Sequence, residues 1–250
     1  DDARCVITDV SGSWSMLNVQ GPNSRALLQA LSDDDLSNVA LPFGAAREIR
    51  IGYQTLLAIR ISYAGELGFE LYVPTAFTLP VYDALVAAGA AFGLRHCGYH
   101  TLNSLRIEKA YREWAHDIGP HDTPLESGLA FTCAWNKPGG FIGMEALLKR
   151  KEQGAQTRRL VQFLLEDPEP LLYHNEPIYR DGVLNSYTTS AMYGHTLGGA
   201  VALGYVVNEA GVSAEWLEAG RYEIELGNRR YAARMALKPL YDPASSRVRS

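Results

Sequence analysis

Two carboxylates and a phenol crowd into one short stretch, Tyr63-Ala64-Gly65-Glu66-Leu67-Gly68-Phe69-Glu70. Apolar residues alternate over 66–73: Leu67, Phe69, Leu71 and Val73 point one way, and Glu66, Gly68, Glu70 and Tyr72 the other. A period of two predicts a strand with one face in a core. A carboxylate on the opposite face is rigidly placed and accepts two parallel N–H donors as a fork. Gly68 and Glu66, its neighbours on that face, leave room for a flat ring. The plainer reading is a solvent-facing strand carrying two ordinary acids.

Other reactive residue types form weaker patterns. Arg106, Glu108 and Tyr111 fall on a predicted helix over 102–111. There Arg106 serves either an anion or a neighbouring acid, and Tyr111 either a ligand or helix packing. His121-Asp122 invites acid–base chemistry. Adjacent side chains point apart, however, and no nucleophile motif accompanies them, so a turn is the better reading. His116, His174 and His195 have no partner at metal-ligand spacing, and no metal site is assigned. Cys5, Cys97 and Cys133 form no CxxC pair and read as buried thiols in a reducing compartment.

The elements that must carry these residues are legible as patterns. A strand over 15–19 leads through Gly21-Pro22 to a helix over 25–31, with Asn23 or Ser24 as N-cap. Asp33-Asp34-Asp35 marks a turn or helix start. Strands over 47–51 and 55–62 flank Gly52-Tyr53, and a helix over 79–91 stops at Gly93. After Phe141-Ile142-Gly143 the texture changes. One more helix, 144–152, is followed by short strands over 160–165, 176–180, 183–189, 200–206, 221–226 and 230–235. Asp181-Gly182 and Gly227-Asn228 are hairpin turn signals. The result is an α+β part followed by a small antiparallel barrel, with domains over 1–152 and 153–250.

At 250 residues, 47% hydrophobic and 20% charged, the chain can bury a sizeable core. A net charge of −5, with basic residues only in isolated pairs such as Arg158-Arg159 and Arg229-Arg230, argues against a nucleic-acid partner. No uninterrupted apolar run approaches the ~18–20 residues that cross a bilayer, so no membrane partner is expected. The longest apolar helical run, 84–92, is about half that length. No GxGxxG fingerprint occurs, so a dinucleotide such as FAD is not expected to bind this chain.

Five motifs in order resemble the aminomethyltransferase family that includes the glycine cleavage T-protein and the C-terminal region of dimethylglycine and sarcosine dehydrogenases. They are the Tyr63–Glu70 stretch, with Ala64 where Thr is usual; Asn103-Ser104-Leu105-Arg106-Ile107-Glu108; Thr123-Pro124-Leu125-Glu126-Ser127-Gly128-Leu129; Phe141-Ile142-Gly143; and Ala202-Leu203-Gly204-Tyr205-Val206. The resemblance implies an aminomethyltransferase-like folate-binding domain followed by a β-barrel. It implies tetrahydrofolate as cofactor, an amine donor as substrate, and one-carbon transfer giving 5,10-methylenetetrahydrofolate. Glu70 then meets the donor edge of the pterin, where a ring N–H stands beside an exocyclic NH2. Tyr63 and Tyr111 line the folate, Arg106 is a candidate for a folate carboxylate, Glu66 is a supporting group, and Glu126 is a structural anchor.

Leu102 stands where the T-protein branch often has Arg, which favours the dehydrogenase branch. That branch implies a separate N-terminal flavin domain holding FAD. It also implies a cytoplasmic location, or the mitochondrial matrix in a eukaryote. The chain opens mid-pattern without Met, and no match to the family's strand-rich first lobe precedes Asp9. A longer polypeptide is therefore expected, and the catalytic acid is left unassigned. A free-standing T-protein, a non-catalytic folate-binding scaffold and an O- or S-demethylase are the rival readings.

Overall fold

The computed structural model describes residues 3–250. Its chain forms two compact units, Asp1–Gly98 with Ala244–Ser250, and Tyr99–Pro243.

The first unit is built on β1 (Trp14–Gln20), β2 (Ala46–Ile51), β3 (Gln54–Ile59) and β4 (Gly68–Pro74), with α1 (Ser24–Gln29) and α2 (Thr78–Gly89). The strands form an antiparallel sheet in the order β1-β4-β3-β2. Phe69, Leu71 and Val73 are fully buried, whereas Glu70 and Tyr72 between them lie on the other, half-buried face. At ~1.5–3 kcal/mol for each large side chain, this row drives the strand onto its core. The strand is shorter than expected: Glu66 precedes β4, in the bend that follows Gly65 (φ 79°). α1 begins after Asn23 as expected, yet Asn23 makes no cap hydrogen bond; its amide donates instead to the Phe92 carbonyl at 3.1 Å. In the Asp33–Asp35 turn, Asp34 accepts from the Arg50 N–H at 2.8 Å.

α2 runs between single 3-10 turns, and the helical stretch Thr75–Phe92 has 18 residues and a mean hydropathy of 1.3. By length and composition alone it is apolar enough to cross a membrane, which corrects the count made on uninterrupted apolar residues. Pro80, Tyr82 and Asp83 break the run but not the mean. Val81, Leu85 and Gly89, four apart, are its buried positions, and Val81 and Leu85 belong to the core under the sheet. That is the packing of a helix on a sheet.

Residues 244–250 belong to the same unit. Arg60, 1% exposed, donates to the carbonyls of Leu41 (3.1 Å), Val248 (3.5 Å) and Ser250 (2.5 Å). Arg25 reaches the Ser250 carbonyl at 2.8 Å.

The second unit holds α3 (Tyr99–Glu108), α4 (Met144–Glu152), β5 (Arg158–Leu165), β6 (Pro177–Arg180), β7 (Val183–Gly194), β8 (Gly199–Val207), α5 (Ala214–Ala219), β9 (Tyr222–Leu226) and β10 (Arg229–Ala236). The strands close into an antiparallel barrel in the order β10-β5-β8-β7-β6-β9. Both hairpin signals hold, with positive φ at Asp181 and Gly182 (52° and 81°) and at Gly227 and Asn228 (59° and 63°), as type I′ turns require. β7 is longer than expected because a register shift between Thr188 and Ser190 lets it bend and continue. Gly199 to Gly204 of β8 are all buried. One face points into the barrel, while Val201 and Leu203 pack with Ile107 of α3. α3 therefore clusters with the barrel, and the units part at Gly98, whereas the texture change near residues 152–157 marks where the barrel strands begin.

Tyr111 is not on α3 as expected: the helix ends at Glu108, and Ala110 adopts φ 55°. The cysteines are also corrected. Cys5 and Cys97 are exposed and Cys133 is partly so, because all three lie outside the strands and regular helices.

Candidate functional site

Glu70 projects from the middle of β4, beside Asn18 of β1 on one side and Ile59 of β3 on the other. Tyr72, two residues along the same face, donates its hydroxyl to Glu70 Oε2 at 2.9 Å. That bond to the carboxylate, with some burial, raises the Tyr72 phenol above its ordinary value. Tyr72 therefore stays a neutral donor and fixes the carboxylate's orientation, and no hydrogen bond to Oε1 forms among the described residues. A carboxylate held this way presents an acceptor pair to a donor edge.

The room expected over Gly68 is filled. Gln20 lies flat against it, so that a methyl group at Gly68 would stand 1.7 Å from Gln20 Oε1. Sequence reasoning missed Gln20 because it sits at the very end of β1, next to the Gly21 turn. The signal was its pairing parity with Gly68, which cannot be read before the register is known. Tyr63 is half-buried in the turn between β3 and β4. Glu66 lies 3.6 Å from Arg247, an ion pair within the first unit. The sheet thus brings Glu70 and Tyr72 together with Gln20 and Asn18, while Tyr63 and Glu66 lie on the segment leading into β4.

Arg106 and Tyr111 belong to the second unit. Arg106 is 1% exposed, and all five of its N–H groups are engaged. Nε meets Asn103 (2.7 Å), Nη1 meets Asp117 (2.6 Å) and the Tyr111 carbonyl (2.9 Å), and Nη2 meets Glu113 (2.7 Å) and Ser190 (2.9 Å). A guanidinium has no sixth N–H to offer, so the ligand role expected of Arg106 is withdrawn and the ion-pair reading stands. Glu108 accepts from the N–H groups of Thr196 and Leu197 at 2.7 and 2.9 Å. The Asn103–Glu108 motif therefore clamps α3 to the barrel.

Glu126 takes the N–H and hydroxyl of Thr123 (3.0 and 2.7 Å) and ion pairs from Arg150 and Arg158 (both 3.2 Å). Burial pushes its carboxyl up. Thr123 and Arg158 outweigh that and hold it below the usual carboxylate range. Asp122 accepts from the Gly119 N–H (2.7 Å) and pairs with Arg158 (2.6 Å), so its carboxylate serves the loop rather than His121. No His, Cys, Asp and Glu group able to hold a metal occurs among the described residues.

A sheet-and-helix unit carrying a fixed carboxylate, together with a closed six-stranded antiparallel barrel, defines the aminomethyltransferase fold. The profile for the GCVT N-terminal domain matches residues 1–137, and that for the glycine cleavage T-protein C-terminal barrel domain matches residues 158–242. The chain belongs to the glycine cleavage T-protein family. It is 41% identical to the mitochondrial sarcosine dehydrogenase of Homo sapiens, over 99% of this chain and 27% of that relative. It is 34% identical to an aminomethyltransferase of Shouchella clausii, over 95% of this chain and 63% of that protein. The crystal structure of glycine cleavage system aminomethyltransferase T from Bartonella henselae superposes with a TM-score of 0.72 at 24% identity, covering 88% of this chain and 57% of that one. The chain spans about a quarter of the dehydrogenase it resembles.

Proposed function

We propose that this chain binds tetrahydrofolate and supports transfer of a one-carbon unit from an amine donor to N5 of the folate, giving 5,10-methylenetetrahydrofolate. The carrying observation is Glu70, a half-buried carboxylate oriented by Tyr72 on the open face of β4. Its two oxygens suit the paired N–H donors of a pterin edge. Tetrahydrofolate supplies the nucleophilic nitrogen. The residues of this chain hold the ring, fix its edge and exclude water from the reacting carbon. Tyr63 lines the ring and Glu66 supports the turn.

The dehydrogenase branch is the preferred context. There, a separate flavin domain of the same polypeptide binds FAD and oxidises a donor such as sarcosine or dimethylglycine. In a eukaryote the mitochondrial matrix is the expected compartment, in line with the name of the sarcosine dehydrogenase relative.

Glu70→Gln tests this reading. It keeps the shape but places an amide N–H against a ligand N–H. Losing one charge-assisted pair and leaving donors unmatched is worth ~2–4 kcal/mol. Tetrahydrofolate should bind at least ~30-fold more weakly while the melting temperature changes little, and Glu66→Gln should do markedly less. Equal binding by wild type and Glu70→Gln would remove Glu70 from the site.

A further inference from the structure

Gln20 lies on the same face as Glu70, opposite Gly68 in the β1–β4 register. Its Nε2 donates to Asn18 Oδ1 at 2.8 Å and approaches the Ile61 carbonyl at 3.5 Å. Its Oε1 is buried against Gly68 with no donor in reach among the described residues, and neither does the buried Ser62 hydroxyl, next to Ile61, have a partner. Buried polar atoms are paired in the great majority of cases, so an orphaned Gln20 Oε1 calls for an explanation. Asn18 faces Glu70 across the same strand pair. The unsatisfied acceptor therefore stands two register positions along the same face from the carboxylate assigned to the ring's donor edge.

The pterin ring offers a match that depends on its oxidation state. In folic acid, N5 and N8 are bare acceptors. Dihydrofolate carries a hydrogen on N8, and tetrahydrofolate carries one on both. An acceptor that lacks a donor is satisfied by a ring N–H and opposed by a bare ring nitrogen. Resting on the folate reading above, we propose that Gln20 Oε1 accepts a hydrogen bond from a ring N–H present only in reduced pterin, so that Gln20 selects reduced over oxidised folate. Rotation about its Cγ–Cδ bond turns Oε1 from Gly68 toward the ligand. Gln20 is a specificity-determining residue and takes part in no covalent step.

The test titrates the native protein, Gln20→Met, Gln20→Glu and Glu70→Gln anaerobically with folic acid, 7,8-dihydrofolate and tetrahydrofolate. Wild type should prefer both reduced forms over folic acid by roughly tenfold or more, the worth of about one hydrogen bond. Gln20→Met should bring the three within about threefold, Gln20→Glu, which keeps an acceptor, should retain the preference, and Glu70→Gln should weaken all three alike. The ligand-free melting temperature of Gln20→Met should change little, because the substitution removes an orphaned acceptor along with the exposed Nε2 bond to Asn18. A preference that survives in Gln20→Met, or wild type that binds all three equally, overturns the inference and leaves the folate reading standing. Wild type that binds none of the three overturns the folate reading and this inference with it.

Discussion

At 1% exposure, Arg106 meets five acceptors with five N–H groups, two of them on the carboxylates of Asp117 and Glu113. Asp117 is itself 1% exposed. Removing it leaves Arg106 with Glu113 as its one carboxylate and strips the Glu113 N–H and Thr189 hydroxyl of their acceptor, so Asp117→Ala should cost ~3 kcal/mol, read as a lower midpoint in urea unfolding. Glu126 carries a different dependence. Its folded pKa is depressed, so its contribution is fully present above the ordinary glutamate value and is lost as pH falls through the folded one. Stability should therefore decline on acidification through that window, and Glu126→Gln should be destabilised at neutral pH but lose less on acidification. Thermal melts across an acid series on both proteins check the sign. At this scale the sequence was only partly legible. Alternation put Glu70 on the open face, but it could not show that Gln20 fills the space over Gly68, because that depends on which strand pairs with β4 and in what register.

The elements were more legible than the residues they carry. β2 and β3 with their Gly52 turn, α4 with its Gly154 stop, and the hairpins at Asp181-Gly182 and Gly227-Asn228 all follow from local chemistry. Local chemistry failed where tertiary packing intervened. α3 stops before Tyr111 because its last turn turns into the barrel, where Gln162 donates to the carbonyls of Ile107 and Glu108 at 2.7 and 3.0 Å. α5 was missed because six residues are too few to show a helical period. A cap marks it instead: Ser213 Oγ accepts from the Trp216 N–H at 3.1 Å. Ser213→Ala should cost about 1 kcal/mol, measurable by chemical denaturation, with no effect on folate binding.

For the whole molecule, the fold class was legible because strand spacing and turn signals announce a barrel, and the family because its motifs recur in order. The compact units part at Gly98 rather than at the change of texture near residue 152, because α3 packs against β7 and β8. The proposed flavin context makes a prediction at this scale. The native polypeptide should show flavin absorbance, and residues 1–250 alone should not. A native protein that stays colourless after reconstitution with FAD would favour a free-standing aminomethyltransferase.

Residues 244–250 have a consequence for the order in which the chain is made. The first unit holds the start of this sequence and its last seven residues, with the whole second unit between them. On the ribosome, Arg60 emerges long before the Val248 and Ser250 carbonyls that receive its guanidinium. Val248, 2% exposed, arrives equally late. The first unit must therefore wait, incomplete, while the barrel is translated, and it closes only when synthesis has passed the barrel. A nascent chain arrested at Pro243 should expose Arg60 to water and be cleaved readily by protease within residues 3–98, and extending it through Ser250 should restore protection there.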